Sequence, residues 1–168
     1  MKRPGAAVTI RKARLSDVNA ITKIYNEAIR TTTATFDTRP KNVRDRLQWL
    51  KSHGKRHPVI VAELNGIVVG WASLSPWSDR SAYKDTGETS FYVGTAYQGQ
   101  GVGRKLKKAI IDRARRLQFH TLIARVAEGS DVSLHLNDSF GFAHVGTLKE
   151  VGRKFGRLLD VHILQKML

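Results

Sequence analysis

A glycine-rich turn between an apolar run and a basic helical pattern constrains this chain more than any other stretch. The apolar run ends at Val93, and glycines follow at positions 99, 101 and 103. Backbone N–H groups at the head of a helix have no partner within the helix, and they point outward with the positive end of its dipole. Glycines remove the side chains that would keep a ligand away from this backbone. The stretch therefore predicts a site for a phosphate or a pyrophosphate.

Two common phosphate-binding patterns do not fit this turn. The spacing G-x-G-x-G differs from the dinucleotide pattern G-x-G-x-x-G, and the chain contains no G-x-x-x-x-G-K-[ST] loop. The residues Gln98, Gly101 and Gly103 do fit the pattern Q/R-x-x-G-x-G/A. That pattern resembles the acetyl-CoA pyrophosphate loop of the GNAT N-acetyltransferases. An ordinary strand-to-helix turn is the alternative interpretation of the same residues.

Length and composition predict one domain without sulfur chemistry. A chain of 168 residues is long enough to bury a substantial core, and the absence of cysteine excludes a disulfide scaffold and a cysteine nucleophile. The basic start at residues 1–5 is not followed by an apolar signal segment, and polar residues interrupt the most apolar stretch, 58–74. We expect a flexible N-terminus over residues 1–7, a domain over 8–168, a cytoplasmic location and no membrane contact.

The charge balance is strongly basic. The chain holds 29 Lys and Arg against 14 Asp and Glu, which gives a formal net charge of +15. Such a field attracts polyanions and disfavours a polyamine substrate. The basic residues are spread along the chain, and no helix-turn-helix, zinc or RNP-type motif accompanies them. We therefore expect only nonspecific contact with nucleic acid. A CoA-responsive nucleic-acid-binding module without turnover remains an alternative function.

Apolar spacing predicts alternating strands and helices. The predicted strands are 8–14, 59–63, 67–74, 88–93, 120–126, 142–151 and 158–167, and the predicted helices begin after a Ser16 cap, near Val43, at 102 and at 131. Asn65-Gly66 between two apolar runs predicts a hairpin. The resulting order, β-α-α-β-β-β-α-β-α-β-β, predicts an α/β domain with a central mixed sheet covered on both faces. The GNAT fold has the same order of elements.

The predicted helix 102–117 is amphipathic. Apolar side chains such as Val102, Leu106 and Ile110 recur at helical spacing and predict a buried face. The pattern assigns the basic residues to the other face; these are Arg104, Lys105, Lys107, Lys108, Arg115 and Arg116.

Beyond the glycine turn, the chain is similar to the phosphinothricin/methionine sulfoximine N-acetyltransferase branch of the GNAT family. Five segments in order carry this similarity: 25–29 with 33–36, 70–72 with 76–83, 88–93, 98–103, and 151–157 with Asp160. Together they span nearly the whole chain. The resemblance implies a GNAT fold, acetyl-CoA as cosubstrate, no metal, and a homodimer of the kind that family members commonly form.

The resemblance also implies a direct attack of an acceptor amine on the acetyl thioester in a ternary complex. Glu88 occupies the family's general-base position and would take the amine proton directly or through a water. Backbone N–H groups around Tyr92 and Val93 would polarise the thioester carbonyl. The other implied cofactor-binding residues are Phe91, Gln98, Gly99, Gln100, Gly101, Val102, Gly103, Arg104, Ser130, Ser133 and Asn137.

The acceptor implied by the family is a small amino-acid analogue with a free α-amine, a carboxylate and a polar tail. Arg80 would pair with the carboxylate, and Lys154 would supply a second positive charge. Phe36, Trp77 and Tyr83 would form the pocket walls. An ordinary surface charge is the alternative for Arg80 and Lys154, and a place in the core is the alternative for Phe36. A protein N-terminus or lysine is the alternative acceptor class.

The segment 130–142 departs from the family pattern N-x-x-S-x-x-L-H-x-x-x-G-F. Ser130 stands in place of the usual asparagine, and Asn137 stands in place of the usual histidine. An amide can hydrogen-bond the pantetheine or the sulfur region, but it cannot shuttle a proton at neutral pH. The group that protonates the departing thiolate is therefore left open. Leu158 also replaces a common aromatic residue near the C-terminus.

Overall fold

A seven-stranded sheet forms the centre of the computed structural model, which describes residues 7–168. The strands are β1 (Thr9–Lys12), β2 (Val59–Leu64), β3 (Ile67–Pro76), β4 (Thr86–Val93), β5 (Thr121–Ala127), β6 (Ala143–Lys154) and β7 (Arg157–Met167). The helices are α1 (Val18–Thr31), α2 (Val43–Ser52), α3 (Val102–Arg116) and α4 (Asp131–Ser139). The predicted order of elements is confirmed. The expected flexible N-terminus falls mostly on residues 1–6, outside the described residues, and stays a prediction.

The sheet opens in its middle, between β4 and β5. The strand order is β1-β2-β3-β4-β5-β7-β6, and β4 and β5 are parallel whereas the other neighbours are antiparallel. Pairing between β4 and β5 covers only residues 86–88 and 121–123, although both strands continue for several residues. The two strands separate beyond this pairing, and a cleft opens between them.

Helix α3 packs on one face of the sheet through a stripe of side chains. Leu106, Ile110 and Ala114 recur every four residues and are completely buried. The assignment of Lys107 to the outer, basic face of α3 is wrong, because its side chain is only 1% exposed. Lys107 follows Gly103 by four residues and precedes Ile110 by three, so helical spacing places it beside the buried stripe.

The opposite face of the sheet is covered by α1 and α2. Ile21 of α1 and Leu50 of α2 are buried against Val61 and Trp71 of the sheet. The guanidinium of Arg46 is also buried, with its carbon 3.6 Å from the centre of the Trp49 ring. Within residues 7–168, no helix combines the length and the apolar character that crossing a membrane requires.

The start of α1 differs from the prediction of a Ser16 cap. Residues 15–17 form a 3-10 turn, and the carboxylate that accepts a backbone N–H there belongs to Asp17, which bonds the amide of Arg14 at 2.7 Å. Both oxygens of Asp17 also accept from Arg11, at 2.7 and 2.9 Å. The ion pair with β1, rather than a serine hydroxyl, therefore anchors this end of α1.

Two hairpins use left-handed backbone at both turn residues. Asn65 and Gly66 have φ of 51° and 80°, which confirms the predicted hairpin between β2 and β3. Phe155 and Gly156 repeat this geometry with φ of 51° and 75°, and they join β6 to β7. This second turn extends both strands beyond their predicted ends, so that β6 reaches Lys154.

Candidate active site

The head of α3 presents a free row of backbone donors. Gly101 adopts a left-handed conformation with φ of 78° just before the helix, and Gly99 has φ of 71°. No side chain among residues 7–168 caps this end, and the first turn of α3 contains no acidic residue. No described atom lies within 4 Å of a Cβ built on Gly99 or Gly101. The N–H groups therefore face open space at the positive end of a 15-residue helix.

The remaining turn residues brace this loop. The Gln98 side-chain amide donates to the Val93 carbonyl at 3.2 Å, and that of Gln100 donates to Ala96 at 3.0 Å. A Cβ on Gly103 would lie 3.4 Å from the Phe91 ring, which is tight van der Waals contact. These contacts fix the predicted cofactor residues Gln98, Gln100 and Gly103 between the end of β4 and the start of α3.

Arg104 and Val102 follow within the first turn of α3. The Arg104 guanidinium donates to Ser139 Oγ at 3.2 Å and lies 5.2 Å from the centre of the Phe140 ring. Val102 is 1% exposed and belongs to the core. Arg104 thus connects α3 to the end of α4, and the Val102 side chain packs inward while its backbone belongs to the helix head.

The cleft between β4 and β5 lies near this head, because Phe91, which lines the cleft, is next to Gly103 in the first turn of α3. Residues of β4, β5, α3 and α4 line it, together with one residue of the loop after α1 and one that directly precedes α4: Ala34, Thr89, Ser90, Phe91, Tyr92, Lys107, Ala124, Arg125, Val126, Ala127, Ser130, Ser133 and Asn137. Five of the predicted cofactor-binding residues are among them, namely Phe91, Tyr92, Ser130, Ser133 and Asn137. The structure therefore brings two distant sequence segments, 91–92 and 130–137, to one opening.

The backbone of β4 offers donors to the cleft. The Gly94 N–H bonds the Val69 carbonyl of β3 at 3.0 Å, and the register continues through Tyr92 opposite Trp71. Because successive N–H groups of a strand point to opposite sides, those of Phe91 and Val93 point toward the cleft. The expectation for Val93 agrees with this direction. Among the donors expected around Tyr92 and Val93, alternation directs the Tyr92 N–H to β3 and leaves Val93 and Phe91 as the donors on the cleft side.

Asn137 carries an unpaired acceptor beside the cleft. Its side chain is 1% exposed, and its amide nitrogen donates to the Ser133 carbonyl at 2.8 Å. Its Oδ1 has no hydrogen-bond partner within residues 7–168. A buried acceptor without a hydrogen-bond partner lowers the stability of the folded chain. The donor set of a pantetheine arm, whose amides carry N–H groups, would satisfy it, so the residues present fit acetyl-CoA.

Glu88 lies where the pairing of β4 with β5 ends, opposite Ser75 of β3 and Ile123 of β5. Arg125 holds both of its oxygens, with Nε donating to Oε1 at 2.6 Å and Nη2 to Oε2 at 2.9 Å. The side chain of Glu88 is 14% exposed and that of Arg125 is 55% exposed, so water reaches the pair. Each carboxylate oxygen keeps a second acceptor position for a proton donor.

Residues 10–163 match the family described as Acetyltransferase (GNAT) domain. The chain belongs to the GNAT acetyltransferase family. A curated relative is the L-methionine sulfoximine/L-methionine sulfone acetyltransferase of Salmonella typhimurium, which is 40% identical over 162 residues, 96% of this chain and 95% of the relative.

Two solved structures share this GNAT fold. An acetyltransferase of Salmonella typhimurium with its cofactor acetyl-CoA has a TM-score of 0.93 and 40% identity, over 96% of this chain and 94% of that chain. A ribosomal-protein-alanine N-acetyltransferase of Brucella melitensis has a TM-score of 0.92 and 40% identity, over 95% and 99%. The expected GNAT fold, acetyltransferase activity and use of acetyl-CoA as cosubstrate are confirmed.

Trp77 joins the Glu88 side of this GNAT site. Its backbone N–H bonds the Thr86 carbonyl at 3.4 Å, directly after the end of β3. The carbon of the Arg125 guanidinium lies 5.9 Å from its ring centre. Trp77, Arg125 and Glu88 are therefore neighbours on the face of the sheet that α1 and α2 cover.

Phe36 and Lys154 meet at the loop of residues 32–37. The Lys154 ammonium is 4% exposed and donates to the Thr35 carbonyl at 2.6 Å, and burial lowers the pKa of Lys154. Phe36 packs so tightly on β6 that a Cβ on Gly152 would collide with its ring. The Phe36 side chain is nevertheless 36% exposed, so it lies at a rim rather than in the core.

The same loop is fastened to the sheet and to α1. The Tyr92 hydroxyl donates to the Ala34 carbonyl at 3.3 Å, and the Tyr25 hydroxyl donates to Asp37 Oδ2 at 2.6 Å. Burial, with the nearby Asp37 carboxylate, raises the pKa of Tyr25 to about 12. The loop is therefore a fixed wall of the cleft, since Ala34 lines the cleft itself.

Arg80 and Tyr83 lie apart from these residues. Arg80 directly precedes the 3-10 turn Ser81–Tyr83 and is exposed, and Tyr83 ends that turn and is 44% exposed. Within residues 7–168, no side-chain hydrogen bond or ion pair holds the Arg80 guanidinium. Its charge is therefore available to a ligand.

Sequence reasoning missed two charged residues of the cleft, Arg125 and Lys107. Arg125 interrupts the buried run of β5, and alternation from Ile123 would have placed it beside Glu88. Lys107 falls on the buried stripe of α3 by helical spacing. Strand alternation at Arg125 and helical spacing at Lys107 can both be read from the sequence, but the many other basic residues made these two hard to distinguish.

Proposed function

We propose that this GNAT enzyme transfers the acetyl group of acetyl-CoA to the α-amine of a small amino acid or amino-acid analogue that bears a carboxylate. The cleft between β4 and β5 carries the proposal. We take its mouth to be where the lining residue Phe91 meets Gly103 at the head of α3, and its inner end to be where the lining residue Arg125 holds Glu88. A diphosphate at the mouth and a thioester within would match these two ends.

In this proposal Glu88 is the general base. A neutral amine attacks the acetyl carbon, and its proton passes to a Glu88 oxygen directly or through a water. The Arg125 guanidinium holds the carboxylate plane at two points, which limits its rotation. The N–H groups of Phe91 and Val93 supply donors to the carbonyl oxygen as negative charge develops on it.

The acceptor would bind on the face of Glu88, between the 32–37 loop and the turn at 81–83. Arg80 would pair with the acceptor carboxylate, since its guanidinium is exposed and uncommitted. Phe36, Trp77 and Tyr83 would provide the walls. Lys154 spends one of its three N–H donors on Thr35, so its contribution to the acceptor comes through the remaining donors and its charge.

A protein N-terminus is the second candidate acceptor. The solved relative from Brucella melitensis, at 40% identity, is a ribosomal-protein-alanine N-acetyltransferase by name. The net charge of +15 would also attract acidic or ribosome-bound targets. The homodimer and the cytoplasmic location expected from the sequence stay predictions, and sedimentation equilibrium of the purified chain tests the first of them.

A thiol-release screen with acetyl-CoA tests the acceptor. The panel contains methionine sulfoximine, methionine sulfone, phosphinothricin, ordinary amino acids and peptides with an N-terminal alanine. We expect release above the acceptor-free rate with one or more of the small amino acids, and none with the same compounds acetylated beforehand at the amine. Release with the peptides alone would replace the small acceptor by a protein N-terminus.

A further inference from the structure

Lys107 is a buried charge on the face of the cleft opposite Glu88. It projects from α3, is 1% exposed, and lines the cleft together with Asn137. Its Nζ donates to Thr89 Oγ1 at 2.9 Å and lies 3.9 Å from the centre of the Phe142 ring. Thr89 follows Glu88 directly on β4, so alternation sends the two side chains to opposite faces of the same opening.

We propose that Lys107 protonates the CoA sulfur as the acetyl group leaves, a task that the amide of Asn137 cannot perform. The inference rests on acetyl transfer from acetyl-CoA and is independent of which amine accepts the group.

The hydrogen-bonding capacity of Lys107 supports this role. An ammonium has three N–H donors, and Thr89 accepts one of them. The Phe142 ring can attract the charge but cannot take its proton. Lys107 lines the cleft together with Asn137, whose unpaired Oδ1 shows that the cleft contains a polar atom in need of a partner.

Among the residues that the structure describes, no carboxylate pairs with Lys107, whose hydrogen-bond partner is the Thr89 hydroxyl. The nearby cleft-lining side chains on its face are Thr89 and Phe91 of β4, Ala124 and Val126 of β5, and Ser133 and Asn137 of α4. None of these is ionisable, and the Arg125 guanidinium is held on the other face by Glu88. Burial lowers the pKa of Lys107 to about 7. A free thiol has a pKa of about 8.5, so proton transfer to the thiolate is downhill.

The step balances in protons and bonds. The amine nitrogen forms a bond to the acetyl carbon, and the C–S bond breaks with its electron pair on sulfur. One proton passes from the amine to Glu88, and one passes from Lys107 to sulfur. The products are the acetylated amine and CoA thiol, with Glu88 protonated and Lys107 neutral. The water-accessible Glu88 returns its proton to solvent, and Lys107 regains one before the next turnover.

The first test is Lys107→Met, which removes the donor and keeps an unbranched side chain of similar length. Lys108→Met is the matched control, because Lys108 is 70% exposed and pairs with Asp112 on the surface of α3. We expect Lys107→Met to lower kcat by about 100-fold at pH 6, the lower end of the range of general acid catalysis, with unchanged affinity for acetyl-CoA. The ratio of wild-type to variant kcat should shrink as the pH rises above 7.

Taking this ratio cancels the titration of Glu88 and of the acceptor amine, which both enzymes share. A kcat within twofold of wild type, a ratio that is constant with pH, or a loss that appears in acetyl-CoA affinity instead of kcat would each overturn the proposal. If Lys107 became acetylated in proportion to the loss of activity, Lys107 would be an acceptor of the acetyl group, and this result would also overturn the proposal.

The chain contains no cysteine, so Lys107→Cys offers a single thiol for rescue. Alkylation with bromoethylamine restores an amine of nearly the original length, and alkylation with iodoacetamide gives a neutral amide control. We expect the amine to recover kcat and its pH dependence, and the amide to recover neither. Equal recovery by both would show that bulk, not a proton, matters at this position.

A measurement on the unaltered protein covers the case in which the variants do not fold. NMR of lysines labelled at 13Cε follows the titration of Lys107 directly. Saturation with CoA should raise the pKa of Lys107, because its ammonium then faces a thiol that ionises, and saturation with dethio-CoA should raise it less. Identical titrations with the two ligands would contradict contact with sulfur.

Discussion

The two faces of the sheet each place a charged group at the cleft. The two charges are opposite in sign and differ in how far they are exposed to water. On one face, the Glu88 carboxylate is paired with Arg125, whose side chain is 55% exposed. On the other face, the Lys107 ammonium is 1% exposed and has a hydroxyl, not a carboxylate, as its partner. Because Glu88 and Thr89 are adjacent on β4, their side chains point to opposite faces of the sheet, and the two charged groups lie on opposite sides of this strand.

The difference shows how one opening can handle two protons. A base that must release its proton to solvent after each turnover benefits from contact with water, which the Glu88–Arg125 pair has. An acid that must lose its proton to sulfur benefits from a low pKa, and burial without a counter-charge lowers the pKa of Lys107. In a chain with a net charge of +15, position rather than charge distinguishes Lys107 from its neighbours.

The largest effect is expected at the mouth that both faces share. Gly101→Glu puts a carboxylate beside the N–H groups of α3 and forces a residue with a side chain into φ of 78°. We expect acetyl-CoA affinity to fall more than about 100-fold, because like charge repels the diphosphate and the donors are covered. Calorimetric titration with acetyl-CoA measures the loss.

Gly54→Glu is the control for Gly101→Glu, since Gly54 has open space around it and lies outside the cleft. It adds the same charge and should bind acetyl-CoA as wild type does. If Gly101→Glu also bound normally, the head of α3 would not be the diphosphate site, and the two faces would lose their common entrance.

The next effect separates the faces. Glu88→Gln keeps the shape of the side chain and removes the base, so kcat should fall about 100-fold with little change in acetyl-CoA affinity. Glu63→Gln is the control, because Glu63 forms a comparable ion pair with Arg11 outside the cleft. Steady-state kinetics beside calorimetry distinguishes the two parameters. Unchanged turnover would remove Glu88 from the role of base.

A stability measurement tests the other face alone. The folded chain releases the Lys107 proton near pH 7, and the unfolded chain releases it near 10.5, so the unfolded state binds more protons between these values. Stability therefore rises with pH in this window, and burial of the charge costs most below pH 7. Lys107→Met lacks this cost. With a folded-state pKa of about 7 for Lys107, we expect the variant's gain in unfolding free energy over wild type to be about 3 kcal/mol larger at pH 6 than at pH 9.

Urea unfolding of both proteins at the two pH values gives this difference, and titrations that the proteins share cancel in it. A gain that is the same at both values would mean that Lys107 keeps its charge in the folded chain at pH 9. The burial of an unpaired charge at Lys107 would then not change the pH dependence of the unfolding free energy between these values, and the contrast with the paired charge of Glu88 would not extend to stability.

The fold could be predicted from periodicity because the signals are local. Alternation and helical spacing gave every strand and helix in order, and Asn65-Gly66 gave its hairpin. Strand ends were less predictable where a residue other than glycine adopts a left-handed conformation. Phe155 has φ of 51°, which bulky residues seldom adopt, so the turn that closes β6 and β7 was not predicted.

The site could be predicted in part for a different reason. The glycine turn and Glu88 lie on one continuous stretch, and a resemblance to a known family reaches them directly. Glu88 and Arg125 are 37 residues apart in the sequence, and they pair because β4 and β5 are parallel neighbours. No local pattern predicts which strands become neighbours. Lys107 is a third kind of case, because its spacing from Gly103 and Ile110 predicts a buried side chain whereas a lysine is usually exposed. The structure follows the spacing, since the packing of α3 on the assembled sheet buries this side chain.

The smallest effect is expected farthest from the cleft, at Arg80. Its exposed guanidinium would gain a carboxylate partner in water, where ion pairs are weak, so Arg80→Ala should raise the KM for a carboxylate acceptor about fivefold and leave kcat unchanged. The carboxamide of the same acceptor provides the comparison, because it keeps the amine and removes the charge. Its KM should be the same for both enzymes. Arg116→Ala, on the exposed last turn of α3, controls for net charge. An equal rise in KM for acid and amide would place Arg80 outside the carboxylate site, and recognition of the acceptor would then belong to the face that holds Glu88 and Arg125.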